Sequence, residues 1–296
     1  MDLNPNVTPR AIGPGGLTLG EGPMWDAASQ RFFYVDIHGR TLHAWSPEDN
    51  RSQQWALPER ICWLVPRRDG DGFMAGLQSG FARLWTEPSL RWEPVGSPHA
   101  GEPQVRLNDA KADCRGRIWA GSMNNDDASL CQGRLTRLDA DGQWSVLERD
   151  IYIANGPAIA ADGSWMLHTD SFRNTVYRYD IAADGSLSGK REWLRFENDQ
   201  GTPDGMNFDR DGNIWIAFWG GSCIRQFTPD AQCLRTVALP APNITCVAFG
   251  GKNLDLMLVT SARAELDAAT LARFPEAGNT WVLALGVQGV LPCTYG

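Results

Sequence analysis

The stretch PDGMNFDRDGNIWIAFWGGSCIRQFTPDA, residues 203–231, decides the fold. It reads as a strand, a turn at Asp211-Gly212, a strand, a turn at Gly220-Gly221, and a third strand. Asp-Gly and Gly-Gly pairs supply the positive-φ backbone that tight hairpins require. The run Ile214-Trp215-Ile216-Ala217-Phe218 is too apolar for a surface strand and too short for a helix. It suits a middle strand covered on both faces. The same phase returns along the chain. LNDAKADCRGRIWAGSM starts at Leu107 and turns at Arg115-Gly116, and ANGPAIAADGSWMLHTDSFRNTVYRYD starts at Ala154 and turns at Asp162-Gly163. GEGPMWDAASQRFFYVDIHGRTLHAW starts at Gly20, and ICWLVPRRDGDGFMAGLQSGFARLW at Ile61. A degenerate sixth unit, NITCVAFGGKNLDLMLVTSA, starts at Asn243 and is completed by NTWVLAL from Asn279. The starts recur at roughly 40 to 50 residues, the length of a four-stranded propeller blade. The expected fold is therefore all-β: one six-bladed β-propeller domain over residues 1–296, with four-stranded blades around a central channel. A pair of β-sandwiches would not explain the recurring phase. One helix is expected, from Glu265 to Phe274.

Composition agrees. The 13 Trp and 31 Gly among 296 residues suit short strands and tight turns. Acidic residues outnumber basic ones 35 to 27, a net charge of −8, which argues against a nucleic-acid partner or an anionic membrane surface. With 43% hydrophobic and 21% charged residues, the chain can bury enough apolar surface to order itself. No apolar run approaches the roughly 18 residues of a spanning helix. MDLNPNVTPRAIGPGG has no basic start followed by an apolar core, so no secretory signal is expected. Seven scattered cysteines, with no Cys-x-x-Cys pair, read as free thiols in a reducing cytosol. A cytoplasmic monomer is the expectation. Asn6-Val7-Thr8 and Asn243-Ile244-Thr245 match the glycosylation pattern, which carries no weight without a signal peptide.

In a propeller, residues at the same phase of each blade's first strand lie at one height on the channel wall. The turn glycines serve as the ruler. Counting back eight from Gly212, Gly163 and Gly116 reaches Asp204, Asn155 and Asn108. Glu21-Gly22-Pro23 mirrors Asn155-Gly156-Pro157, and the second unit contributes Cys62. The sixth position is either Asn243 or Thr245. Two carboxylates and two amides at one level favour a divalent cation held by oxygen, because carboxylates crowded together need compensating charge. Glu21 and Asp204 would just neutralise a dication. Asp209-Arg210-Asp211-Gly212-Asn213 lacks the late bidentate Glu of a calcium loop and reads as a turn.

At these residues the sequence resembles the senescence-marker protein (regucalcin)/gluconolactonase family of six-bladed propeller lactonases. The likeness spans nearly the whole chain. It rests on Leu19-Gly20-Glu21-Gly22-Pro23-Met24-Trp25, Arg106-Leu107-Asn108-Asp109-Ala110-Lys111, Ala154-Asn155-Gly156-Pro157, Pro203-Asp204-Gly205-Met206 and Pro275-Glu276-Ala277-Gly278. The resemblance implies a divalent metal ion (Ca, Fe, Mn, Mg or Zn) on Glu21, Asn155 and Asp204. It also implies that Arg106 and Asn108 hold substrate oxygens. An acidic residue in the loop after Gly121-Ser122-Met123 faces substrate in some members, which here points to Asp126.

The expected activity is hydrolysis of a sugar lactone to its aldonic acid, a reaction of carbohydrate metabolism, with Asp204 as general base. No Gly-x-Ser-x-Gly elbow is present, so a serine esterase is not indicated. None of His38, His43, His99 and His168 falls at the in-phase position; His38 and His43 read as hairpin or surface residues. Cys62 is in phase but shows no adjacent base, so it reads as channel lining. Two rivals share the fold: a non-catalytic calcium-binding propeller, and a phosphotriesterase-type hydrolase.

Overall fold

The chain forms six four-stranded antiparallel sheets, one for each repeat unit, and these are the six blades of a six-bladed β-propeller. The computed structural model describes residues 8–296. The first strands of the blades are Gly20–Asp26, Ile61–Pro66, Val105–Ala112, Ala154–Ile159, Thr202–Phe208 and Asn243–Gly250. They start within two residues of the units read from the sequence. The sixth blade takes its outermost strand from the other end of the chain: Arg10–Ile12 pairs with Thr280–Ala284, Ala11 opposite Trp281. Sequence phase had not shown this strand, because three residues are too few to carry a period.

The chain divides into two compact units. One carries blades one, five and six. The other carries blades two, three and four (Ile61–Arg195) with Pro292–Gly296. In the first unit the core is built from Trp25, Phe32, Trp45 and Leu258, and from Trp215, Ile224, Val247 and Trp281. In the second, Trp119, Leu135, Met166 and Tyr179 pack together. Burying each such side chain contributes about 1.5–3 kcal/mol.

The turns are held by aspartates at the ends of first strands. Asp113 accepts from the backbone N–H of Arg115 (2.9 Å) and Arg117 (3.1 Å), and from Trp119 Nε1 (2.9 Å). Asp209 does the same for Asp211 (3.0 Å), Asn213 (2.9 Å) and Trp215 Nε1 (3.1 Å). Asp209–Asn213 is thus the turn its sequence suggested. One carboxylate closes the hairpin and satisfies the indole N–H of the strand beyond it.

Some details depart from expectation. The helix spans only Ala268–Arg273, because the Asp267 side chain caps it on Thr270 N (2.8 Å) and Glu265 takes a positive φ of 64°. His43 is a core residue, not a hairpin or surface one. It is buried, stacked on Tyr34 with centroids 4.9 Å apart, and bonded to Thr41 Oγ1 at 2.8 Å. All seven cysteines are free thiols. No helix among the described residues is long and apolar enough to cross a membrane. Asn6 and Val7 lie outside the described residues, and Asn243 is buried within its strand.

Candidate functional site

All six first strands slip register against their partners at one point. The slips fall between Glu21 and Met24, Ile61 and Trp63, Leu107 and Ala110, Asn155 and Ala158, Pro203 and Met206, and Ile244 and Cys246. A bulge leaves residues unpaired and re-aims their side chains. The residues at these slips are Glu21, Cys62, Asn108, Asn155, Asp204 and Thr245. The alternative at the sixth position is thereby settled. Thr245 sits at the bulge, while Asn243 donates to Ala264 O (3.0 Å) and accepts from Gly220 N (3.2 Å). Gly22 and Gly156 follow Glu21 and Asn155 with φ of 51° and 74°, left-handed values that explain the Glu-Gly-Pro and Asn-Gly-Pro spellings.

In the first unit, the Asn243–Gly250 strand packs against both Gly20–Asp26 and Thr202–Phe208. Thr245 Oγ1 donates to Gly20 O at 2.6 Å. Gly205 lies so close to Cys246 that a side chain there would collide with its sulfur. This packing holds Glu21 and Asp204 in place, 7% and 5% exposed. The Glu21 Oε2 atom accepts from Gly22 N (3.0 Å). Two nearly buried carboxylates carry a desolvation penalty of several kcal/mol each unless charge compensates them.

In the second unit, Arg106 starts a buried polar relay. The guanidinium donates to Leu107 O (3.0 Å), Asn125 Oδ1 (3.0 Å) and Asn108 Oδ1, with Nη2 3.2 Å from Met123 Sδ. Asn108 Nδ2 donates to Ala154 O (2.9 Å) and Asn155 Oδ1 (2.8 Å). Asn155 Nδ2 donates to Ser171 Oγ (2.8 Å). The relay fixes which end of each amide is oxygen. Asp126 is exposed on the loop beyond, joined to the relay by a 3.1 Å bond from Asn125 Nδ2 to its carboxylate. Cys62 is fully buried.

Glu21, Asn155 and Asp204 each carry an oxygen donor of the kind a hard divalent cation takes. Glu21 and Asp204 offer carboxylate oxygens. Asn155 Oδ1 accepts one bond from Asn108, and an amide oxygen has a second lone pair for a metal. Among the described residues no three His, Cys, Asp or Glu side chains gather as a cluster. The expected ligands are two carboxylates and an amide, a set outside that description.

Three participants were not identified from the sequence. Ser171 and Asn125 orient the relay from neighbouring strands and loops. Asp109 is 2% exposed, accepts from Ala110 N (2.7 Å) and Gly156 N (3.1 Å), and has Lys111 Nζ at 3.7 Å. Burial pushes its carboxyl above the usual range, and Lys111 pulls it back. A signal was present: Asp109 stands where Gly22, Gly156 and Gly205 stand in the other motifs.

Residues 19–263 match the family model described as the SMP-30/Gluconolactonase/LRE-like region. The chain is 34% identical over 273 residues to a 6-deoxy-6-sulfogluconolactonase of Pseudomonas putida, covering 92% of each. It is 33% identical over 283 residues to a regucalcin of Danio rerio, covering 94% of each. The solved structure of a calcium-binding protein, regucalcin, from Agrobacterium tumefaciens superposes with a TM-score of 0.92 at 26% identity, covering 98% of this chain and 97% of that one.

Proposed function

Because this chain belongs to the SMP-30/gluconolactonase/LRE-like family, we propose that it is a divalent-metal-dependent lactonase that hydrolyses a sugar (aldono-) lactone to its aldonic acid. The observation that carries the reading is the buried Arg106–Asn108–Asn155 relay at the strand bulges. A purely structural blade has no use for such polar side chains at a point where apolar ones would pack. Relatives named as a lactonase and as regucalcin support it.

Glu21, Asn155 and Asp204 would hold the divalent ion, which when bound polarises the lactone carbonyl as a Lewis acid. Asp204 takes a proton from the attacking water. The water oxygen bonds to the carbonyl carbon, the ring carbon–oxygen bond breaks, and the proton passes to the ring oxygen as it leaves. Arg106 and Asn108 orient substrate hydroxyls. The Nη2 group contacts a thioether, a weak acceptor, so exchanging it for a hydroxyl oxygen is favourable. Asp126 contacts substituents from the loop. A cytoplasmic location, supported by seven free cysteines, and a monomeric state belong to the same reading.

A second reading, a calcium-binding propeller without turnover, is favoured by the name of the Agrobacterium structure. A pH-stat assay with aldonolactones, on metal-stripped and metal-loaded protein, separates the two. Acid release that requires the ion supports the lactonase. Stoichiometric calcium binding without acid release from any sugar lactone overturns it.

A further inference from the structure

Asp109 breaks the pattern of the bulges. The residue after the bulge side chain is Gly22 behind Glu21, Gly156 behind Asn155 and Gly205 behind Asp204, but Asp109 behind Asn108. A carboxylate fills space that a hydrogen atom fills in the other three. Its oxygens are well used: Oδ2 accepts from Gly156 N (3.1 Å), Oδ1 accepts from Ala110 N (2.7 Å), and Lys111 Nζ lies 3.7 Å away. Asn108, the preceding residue, holds Ala154 O (2.9 Å) and Asn155 Oδ1 (2.8 Å). Asn155 is therefore gripped at three consecutive points: the carbonyl before it, its own side chain, and the amide N–H after it.

That last grip falls on the joint most in need of one. Gly156 has φ of 74° and no Cβ, so the backbone beyond Asn155 has more rotational freedom than any other residue type would allow. A buried N–H that loses its acceptor reorients to find another. We propose that Asp109 is a positioning residue: by accepting the Gly156 N–H it locks the peptide that follows Asn155, so that the Asn155 side-chain oxygen keeps one orientation toward a divalent ion. This rests on the reading of Asn155 as a ligand. Asp109 itself touches neither ion nor substrate in this scheme.

The test compares Asp109→Ala and Asp109→Asn with the wild type. Mn²⁺ is titrated calorimetrically into metal-stripped protein, the Gly156 amide resonance is followed by NMR, and kcat and KM are measured on an aldonolactone. Removing a group that orients a ligand costs about 10- to 100-fold in metal affinity or activity. Asp109→Ala is expected to lose that much in both Mn²⁺ affinity and kcat, with KM nearly unchanged and the Gly156 resonance displaced. Asp109→Asn retains an acceptor oxygen and is expected to restore most of each. Wild-type Mn²⁺ affinity in Asp109→Ala, or an unmoved Gly156 resonance, overturns the positioning role. If Asp109→Ala does not fold, Asp109→Ser, which also removes the carboxylate, decides. A tenfold or greater loss of Mn²⁺ affinity with the Gly156 resonance displaced supports the role, and wild-type affinity or an unmoved Gly156 resonance overturns it. A wild-type protein that binds no Mn²⁺ overturns the ligand reading of Asn155, a failure distinct from that of Asp109 alone.

Discussion

His168 should make the fold acid-sensitive by a calculable amount. Its side chain is 1% exposed, with Nε2 buried without a hydrogen-bond partner and the ring set edge-on to Tyr179 at 6.4 Å. Burial lowers its pKa from 6.5 to about 4, with smaller influences from Glu148, which raises it, and Lys190, which lowers it further. The folded state therefore resists a proton that the unfolded chain accepts near pH 6.5. Stability is lost as pH falls below 6.5 and levels off below about 4. At about 1.36 kcal/mol per pH unit, the full effect is about 3 kcal/mol, and at pH 5 about 2 kcal/mol has gone. His43 and His99 are also lowered to about 4 by burial and add to the decline over the same window. The perturbation is His168→Phe, which keeps a flat ring and removes the titration. Urea unfolding at pH 7 and pH 5 gives the decrement for each protein. The variant should lose about 2 kcal/mol less than the wild type between the two pH values. Carboxylates that titrate nearby contribute equally to both proteins and cancel in the comparison. An identical decrement in the two would refute the reasoning.

Glu21→Gln and Asp204→Asn should each lower kcat more than about 100-fold while leaving the circular dichroism spectrum unchanged, because each keeps its size and loses only charge and basicity. Collapse of the spectrum would mark these residues as structural. Arg106→Ala should raise KM for a polyhydroxylated lactone more than for an unsubstituted one. It should also lower kcat on both substrates, since the guanidinium bonds Asn108 and Asn125; steady-state kinetics on the pair of substrates checks both parts. Chelation should abolish turnover, several divalent ions should restore it to differing degrees, and the metal-free protein should keep its melting temperature within a few degrees, because the packed blades supply the stability. Full activity after rigorous chelation would end the metal mechanism.

The propeller was legible because its signals repeat. A turn glycine eight residues after the bulge position in the second to fifth blades, and strands such as Ile214–Trp219, give a phase that one blade states and others corroborate. That phase placed Glu21, Asn108, Asn155 and Asp204 at the points where the first strands bulge, although nothing in the counting mentioned bulges. It stalled at the sixth blade, where Asn243 and Thr245 both fit the residue type. There the register slip between Ile244 and Cys246, a property of pairing, made the choice. His43 was misjudged for a related reason. Single polar residues on middle strands look like surface until the neighbours that cover them are known, as Tyr34 covers His43.

The partners of the site differ in how far they lay from reach. Asn155 pairs with Thr169 across its hairpin, so Ser171, the first residue of the short 3-10 turn just past the end of that strand, lies two residues on, and its hydroxyl comes within range. Asn125 stands opposite Gln104, beside the strand that carries Arg106, by the same logic. Asp109 is different in kind. Its bond to Gly156 joins two blades, the partners 47 positions apart, and no periodicity within one blade reports packing against the next. What does report it is an exception. A position that is glycine in three aligned motifs is free of side chains for a steric or conformational reason. A carboxylate tolerated there must have found donors, and a buried carboxylate finds them on exposed backbone N–H groups or a cation. Those are the N–H groups of Ala110 and Gly156, with the Lys111 ammonium 3.7 Å away. Departures from a repeat therefore mark the contacts between repeats, just as agreement with it marks the blade itself.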